Sequence, residues 1–163
     1  MHQKLLYFEL EKILHAYISE VQHPTLAADA LHEIADKIHK RSLVVIFSDM
    51  MESQGKNDDL FTALQHLRHN KHEVIVFHVT DKSKELDFDY DNRPYKFVDM
   101  ESGDELKLHP AEVRQQYTVA ITKYRDELRL RCMQYRIDFI EADINLGFEQ
   151  ILVPYLLKRA KLF

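Results

Sequence analysis

The sequence predicts an α/β fold: a three-layer, Rossmann-like parallel sheet flanked by helices, with a small antiparallel hairpin inserted. Three observations carry this expectation. Two continuous apolar runs of strand length, Leu43-Val44-Val45-Ile46-Phe47 and Val74-Ile75-Val76-Phe77-His78-Val79, read as buried parallel strands. Each follows a segment whose apolar residues recur at three- and four-residue spacing, the helix-then-strand alternation of βαβ construction. Between Leu86 and Leu108 the period changes to two, which marks an antiparallel excursion at the end or edge of the sheet.

Taken in order, Leu6, Leu10, Ile13, Leu14, Tyr17 and Val21 form one apolar stripe on a first helix, which His23-Pro24 ends because the residue before proline avoids helical geometry. A second helix is expected from Leu26 to Lys40, with Ala27, Ala30, Leu31, Ile34, Ala35 and Ile38 on one face and Thr25 at its N-cap. The strand Leu43 to Phe47 reads as a central one covered on both faces and stops at Ser48-Asp49. A third helix, Asp58 to His69, turns Leu60, Phe61, Leu64 and Leu67 inward and leads into the strand Val74 to Val79. In the period-two stretch Leu86, Phe88, Tyr90, Tyr95 and Phe97 alternate, with turns at Asp91-Asn92-Arg93-Pro94 and Ser102-Gly103-Asp104. Pro110 suits the first turn of a long helix to Gln134, whose inward stripe is Val113, Tyr117, Ala120, Ile121, Tyr124 and Leu128. A strand from Ile137 to Glu141 and a helix from Phe148 to Leu157 close the chain. No repeat or linker interrupts it, so residues 1–163 are expected to form a single domain.

Composition narrows the function. With 163 residues, 45% apolar and 30% charged, the chain has the size and balance of one soluble domain. No apolar run has the length of a membrane span, and the first residues mix charges into their hydrophobics as a signal peptide does not. A cytoplasmic protein without membrane partners is expected, and the lone Cys132 agrees with a reducing compartment. The net charge of −5 argues against a nucleic-acid partner. Gly55, Gly103 and Gly147 each stand alone, which excludes the glycine-rich loops that let backbone approach phosphate.

In an open parallel sheet, function gathers at the carboxyl ends of the strands. Those ends carry Ser48-Asp49, Thr80-Asp81 and Asp143. The second helix, about 22 Å long, runs back along a strand of about 17–20 Å, so Thr25 is expected beside Asp49. A hydroxyl and a carboxylate there suit a hard cation such as Mg²⁺. Equally, Thr25 and Asp49 have a plainer reading as caps of local turns. His66-x-x-His69-x-x-His72 has the look of a metal motif, but His72 falls beyond the helix end, and solvated residues at a helix C-terminus are the simpler account. His78 reads as a hydrogen-bonded core histidine and Cys132 as a buried structural thiol.

The stretch Pro24-Thr25-Leu26-Ala27-Ala28-Asp29-Ala30-Leu31-His32-Glu33-Ile34-Ala35, followed by Arg41-Ser42-Leu43-Val44-Val45-Ile46-Phe47-Ser48-Asp49, resembles the later part of the von Willebrand factor A-like domain of the domain of unknown function 58 family. The likeness continues from Ala63 to Val79, through Phe97-Val98-Asp99-Met100-Glu101-Ser102-Gly103, and into Tyr155-Leu156-Leu157-Lys158-Arg159-Ala160-Lys161-Leu162. Members of that family are commonly encoded beside MoxR-type AAA+ ATPases. Their metal-ion-dependent adhesion site binds Mg²⁺ through an Asp-x-Ser-x-Ser motif, a threonine in a second loop and an aspartate in a third. Thr25 resembles that threonine and Asp49 that aspartate, with Ser48 as a neighbouring hydroxyl. No Asp-x-Ser-x-Ser occurs in the chain. The resemblance therefore implies a partial von Willebrand A-like domain, truncated at its N-terminal half, with a remnant metal site.

Two functional expectations follow. The first is a non-enzymatic protein-interaction module, holding Mg²⁺ through Thr25, Asp49 and Ser48 and linked to an AAA+ ATPase partner. The alternative is a small metal-assisted hydrolase using Asp49, Asp81 and Asp143. The resemblance also implies that the strand Leu43 to Phe47 has lost a neighbour and presents an apolar edge through which the chain self-associates.

Overall fold

Helix and strand alternate along the chain to build a parallel sheet between two layers of helix. The computed structural model describes residues 2–16, 27–51, 57–99 and 103–161. Its elements are α1 (His2–Ala16), α2 (Ala27–Lys37), β1 (Leu43–Ser48), α3 (Asn57–His69), β2 (Glu73–Thr80), β3 (Tyr95–Val98), β4 (Glu105–Leu108), α4 (Pro110–Gln134), β5 (Asp138–Asp143) and α5 (Phe148–Ala160). The sheet order is β1-β2-β5, all parallel, with Val45 opposite Ile75 and Phe77 opposite Ile140. The strands β3 and β4 form a separate antiparallel pair. The expected α/β class is the observed one. No helix among the described residues is long and apolar enough to cross a membrane.

Side-chain alternation along β2 divides the interior. Val74 and Val76 face α2, α3 and α4, where Leu31, Ala35, Leu60, Phe61, Leu64, Leu67, Leu128 and Cys132 are all buried. Ile75 and Phe77 face the other way, toward Ile151, Leu152 and Tyr155 of α5. Cys132 lies fully inside the larger cluster, and burial pushes its thiol up to about 11. It is a structural residue, as its sequence context implies.

One expectation fails. Among the described residues the strand Leu43 to Phe47 is an edge strand, not a central one covered on both faces. Val44 and Ile46 pack on the core, whereas Leu43, Val45 and Phe47 remain 51%, 43% and 68% exposed. The reason is that α5 spans only β2 and β5 on that face, leaving Phe47 to stack on Phe77 at 4.9 Å with its outer side open. The first helix is exposed along its described length; Leu5, Leu6, Tyr7, Phe8, Leu10 and Ile13 are all more than half exposed. Residues 17–26, which include the rest of its predicted stripe and Thr25, lie outside the described residues.

The period-two stretch is also built differently from expectation. Only Tyr95 and Phe97 belong to a strand; Lys82–Leu86 forms a single π-helical turn, and Phe88 adopts a left-handed conformation at φ 49°. The alternation reflects an aromatic cluster. Phe88, itself buried, lies 4.4 Å from Tyr117 of α4, 5.0 Å from Tyr90 and 5.9 Å from Phe97. Arg114 of α4 adds bonds to the Phe88 carbonyl and the Asp89 carboxylate, so the hairpin is held to the first half of α4. On α4 itself Val113, Tyr117, Ile121, Tyr124 and Leu128 turn inward as expected, while Ala120 is exposed.

Scarce glycine shows in the helix-to-strand turns. After α3 the Lys71 amide donates to Arg68 and the His72 amide to Leu67; after α4 Arg136 donates to Met133 and Ile137 to Cys132. Both are the Schellman pattern, which normally places glycine in the left-handed position. Here Lys71 at φ 65° and Arg136 at φ 56° occupy it, each adding a positive charge at a helix C-terminus. Lys71→Gly is expected to stabilise the fold by about 1 kcal/mol and Lys71→Val to destabilise it. Leu67→Ala, in the closed core, should cost about 2–5 kcal/mol. Urea denaturation of the variants checks all three.

Candidate functional site

The carboxyl ends of β1, β2 and β5 lie along one edge of the sheet, as parallel pairing requires. The exit from β1 is pinned at several points. Ser48 Oγ accepts from the Met50 amide at 2.9 Å, and Asp49 Oδ1 from the Met51 amide at 3.0 Å. The Met50 carbonyl accepts from the Tyr124 hydroxyl of α4. His78 Nε2 donates to the Asp49 carbonyl at 3.0 Å. Met50 is buried in a left-handed conformation at φ 56°, while Asp49 stays exposed. The loop thus buries its apolar residue and turns a carboxylate outward.

His78 is the core histidine its position implies. It is 4% exposed and stacks on Phe139 at 5.3 Å. Burial holds its pKa below the usual imidazole value, so it is neutral with the proton on Nε2. Its role here is to fix the backbone beneath Asp49.

Asp81 and Asp143 come together, bridged by a residue that sequence reasoning missed. Asn145 Nδ2 donates to Asp81 Oδ1 and to Asp143 Oδ1, both at 2.9 Å. Asp143 Oδ1 also accepts from the Asn145 and Lys82 amides, and Asp81 Oδ1 from the Lys84 amide. The Asn145 amide, with its side chain and Lys82 assisting, holds the Asp143 carboxyl below its ordinary value. The available signal is the Asp-x-Asn spacing after a strand, which favours a side chain folding back on its own backbone. Glu85, on the π-helical turn, is the other omission. Desolvation raises its carboxyl pKa, and the nearby charges of Asp49 and Asp81 push it the same way.

The three histidines of His66-x-x-His69-x-x-His72 do not converge. His66 turns to α2, where its Nδ1 lies 3.1 Å from His32 Nδ1 and its Nε2 3.3 Å from Asp36. His69 is exposed, and buried His72 accepts from the Ser42 amide at 3.2 Å. Among the described residues, no group of three or more His, Cys, Asp or Glu is placed to hold a metal. Asp49 and Ser48 are therefore the members of the expected Mg²⁺ set whose positions are seen; Thr25 lies outside the described residues.

The profile of the family described as Protein of unknown function DUF58 matches residues 10–127, which include the second helix, both apolar strands and the hairpin. The chain belongs to the DUF58 family. Among curated proteins and among solved structures no match is found. The candidate site of this DUF58 chain comprises one outward carboxylate on a pinned loop, Asp49, and two carboxylates bridged by Asn145.

Because Asp143 is stabilised in its charged form, its contribution to stability is present above the unfolded carboxylate value and is lost as pH falls through the lower folded value. Asn145→Ala removes the side-chain bond and leaves the amide bond in place. The Asp143 pKa should then rise part of the way toward 3.8, read by NMR titration of the carboxyl carbon. An unchanged midpoint would show that the bridge has no electrostatic role.

Proposed function

We propose that this DUF58 chain is a non-enzymatic protein-interaction module of the von Willebrand A-like kind, using a remnant metal site at the carboxyl edge of its sheet. The single observation that carries the reading is the state of Asp49. Its backbone is held by His78 and its flanking residue by Tyr124, so the exposed carboxylate is presented from a fixed loop. Asp49 Oδ1 also accepts a backbone amide, that of Met51, but Asp81 and Asp143 are in addition bridged by the Asn145 side chain, which favours an Asx-turn role for these two over a catalytic one.

The donor chemistry fits Mg²⁺, a hard ion that takes oxygen ligands and keeps several waters. Asp49 supplies a carboxylate, and Ser48 a hydroxyl oxygen that accepts one amide hydrogen and retains a second lone pair. Thr25 is the third residue assigned to the set. With so few protein ligands the ion is weakly held, and its bound form offers an open position to a carboxylate on a partner protein. The partner proposed is a MoxR-type AAA+ ATPase, as the sequence resemblance implies.

Titration with MgCl₂ or MnCl₂, read as melting temperature, tests the metal site. At about 10 mM metal a rise of about 2–5 °C is expected, abolished in Asp49→Ala and Asp49→Asn. No rise, or a rise that persists in both variants, would remove Asp49 from the site. Turnover of phosphatase or esterase substrates, lost in Asp49→Ala, would favour the hydrolase instead.

A further inference from the structure

The first histidine of His66-x-x-His69-x-x-His72 has its partner on another helix. α2 and α3 pack together with Leu31 and Ala35 of one and Ala63 and Leu67 of the other all buried, and the Asn70 side chain donates to the Ala35 carbonyl at 2.9 Å. His32, next to Leu31, and His66, next to Leu67, meet across this seam, so the core beneath them sets their separation. Their Nδ1 atoms lie 3.1 Å apart, with ring centroids 5.3 Å apart and ring planes tilted by 42°. On the other side of the second ring, His66 Nε2 is 3.3 Å from the Asp36 carboxylate. Both rings are half-buried; the His66 side chain is 30% exposed, which leaves the pair open to water and ions.

Two features suit this arrangement to a metal ion. The first is spacing. Zinc binds imidazole nitrogen at about 2.0–2.1 Å with tetrahedral angles, which sets two such nitrogens about 3.3–3.4 Å apart. The observed separation is about 0.2–0.3 Å less, a difference that small side-chain rotations supply. The second is Asp36. A metal-bound histidine commonly donates its other ring N–H to a carboxylate, which fixes the tautomer and leaves the lone pair on the ligating nitrogen. With its hydrogen on Nε2, toward Asp36, neutral His66 turns the Nδ1 lone pair to His32.

We propose that His32 and His66 bind Zn²⁺ through their Nδ1 atoms, with Asp36 orienting His66 and water completing the coordination sphere. In the metal-free chain one Nδ1 hydrogen joins the two rings. On binding, His32 gives up that hydrogen to solvent and takes one on Nε2, so both lone pairs meet the ion and the charge of the rings does not change. Among the described residues no third His, Cys, Asp or Glu joins the pair, and the remaining positions of a tetrahedral ion fall to water. Imidazole nitrogen selects zinc over magnesium, a hard ion that takes oxygen. The pair is therefore distinct from Asp49 in its residues and in its chemistry.

Calorimetric titration of the full chain with ZnCl₂, and with MgCl₂ for contrast, tests the site. Two protein ligands, half of a structural zinc set, correspond to a dissociation constant on the order of 10 μM for one equivalent of zinc. Magnesium should not compete. His32→Ala and His66→Ala should each weaken binding by about 100-fold, and Asp36→Asn by about 10-fold with both ligands still in place. His69→Ala, which alters an exposed residue of the same helix, should leave it unchanged. Long-range ¹H–¹⁵N correlation spectra read the ring nitrogens directly: zinc should shift both Nδ1 resonances and leave both ring hydrogens on Nε2. Zinc binding that survives both alanine variants, equal loss in His69→Ala, indifference to Asp36→Asn, or unshifted Nδ1 resonances at about 1 mM zinc would each overturn the proposal. If an alanine variant does not fold, Asp36→Asn and the spectra of the unaltered chain decide.

Discussion

The parallel ladder on both sides of β2 is the constraint from which the rest of the molecule follows. Val74, Ile75, Val76 and Phe77 are each at most 4% exposed, so this strand must be covered on both faces and paired on both edges. One face requires α2, α3 and α4; the other requires α5. The helices are in turn held by contacts that follow from this arrangement. Asn70 donates to the Ala35 carbonyl between α3 and α2, and Arg68 spans the carbonyls of His72 and Tyr135, tying the ends of α3 and α4. These bonds use backbone groups exposed at helix ends, the places where a helix has acceptors to spare.

The same ladder explains why the polar residues meet where they do. A parallel sheet directs all its strand exits to one edge, and each exit must supply partners for its freed amides. Ser48, Asp49, Asp81 and Asp143 all do so with side-chain oxygens. Turn chemistry thus occupies part of the donor set from which a binding site would be drawn. Asp49 differs from the others in having its loop anchored by groups from β2 and α4, which leaves its carboxylate with fewer local duties.

Much of this was legible in the sequence, and the failures have physical reasons. The apolar runs identified β1 and β2, and Pro110 and the stripe to Leu128 identified α4 with its observed ends. Apolarity told that Leu43 to Phe47 is a strand but not where it sits, because edge or centre depends on how many strands are present and how far a covering helix reaches. Period two at Phe88, Tyr90, Tyr95 and Phe97 was read as strand, yet aromatic residues gathering around Tyr117 produce the same alternation. The histidine motif separates because α3 ends at His69 and the chain reverses at Lys71, which sends His72 inward. Asn145 escaped notice because its two carboxylate partners lie 64 and 2 residues away, and the longer connection is set by the pairing of β2 with β5.

The aromatic cluster has a consequence for how the chain comes apart. Among the described residues the hairpin forms a sheet of its own, separate from the parallel one, and Phe88 with Tyr117, together with Arg114, joins this region to α4. The later half of α4, by contrast, contributes Leu128 and Cys132 to the main core. One helix therefore belongs to two cooperative units along its length. Opening of the hairpin would release the first turns of α4 to fraying while the last turns stay protected, so amide exchange in a single helix should occur in two populations, divided between Tyr117 and Leu128.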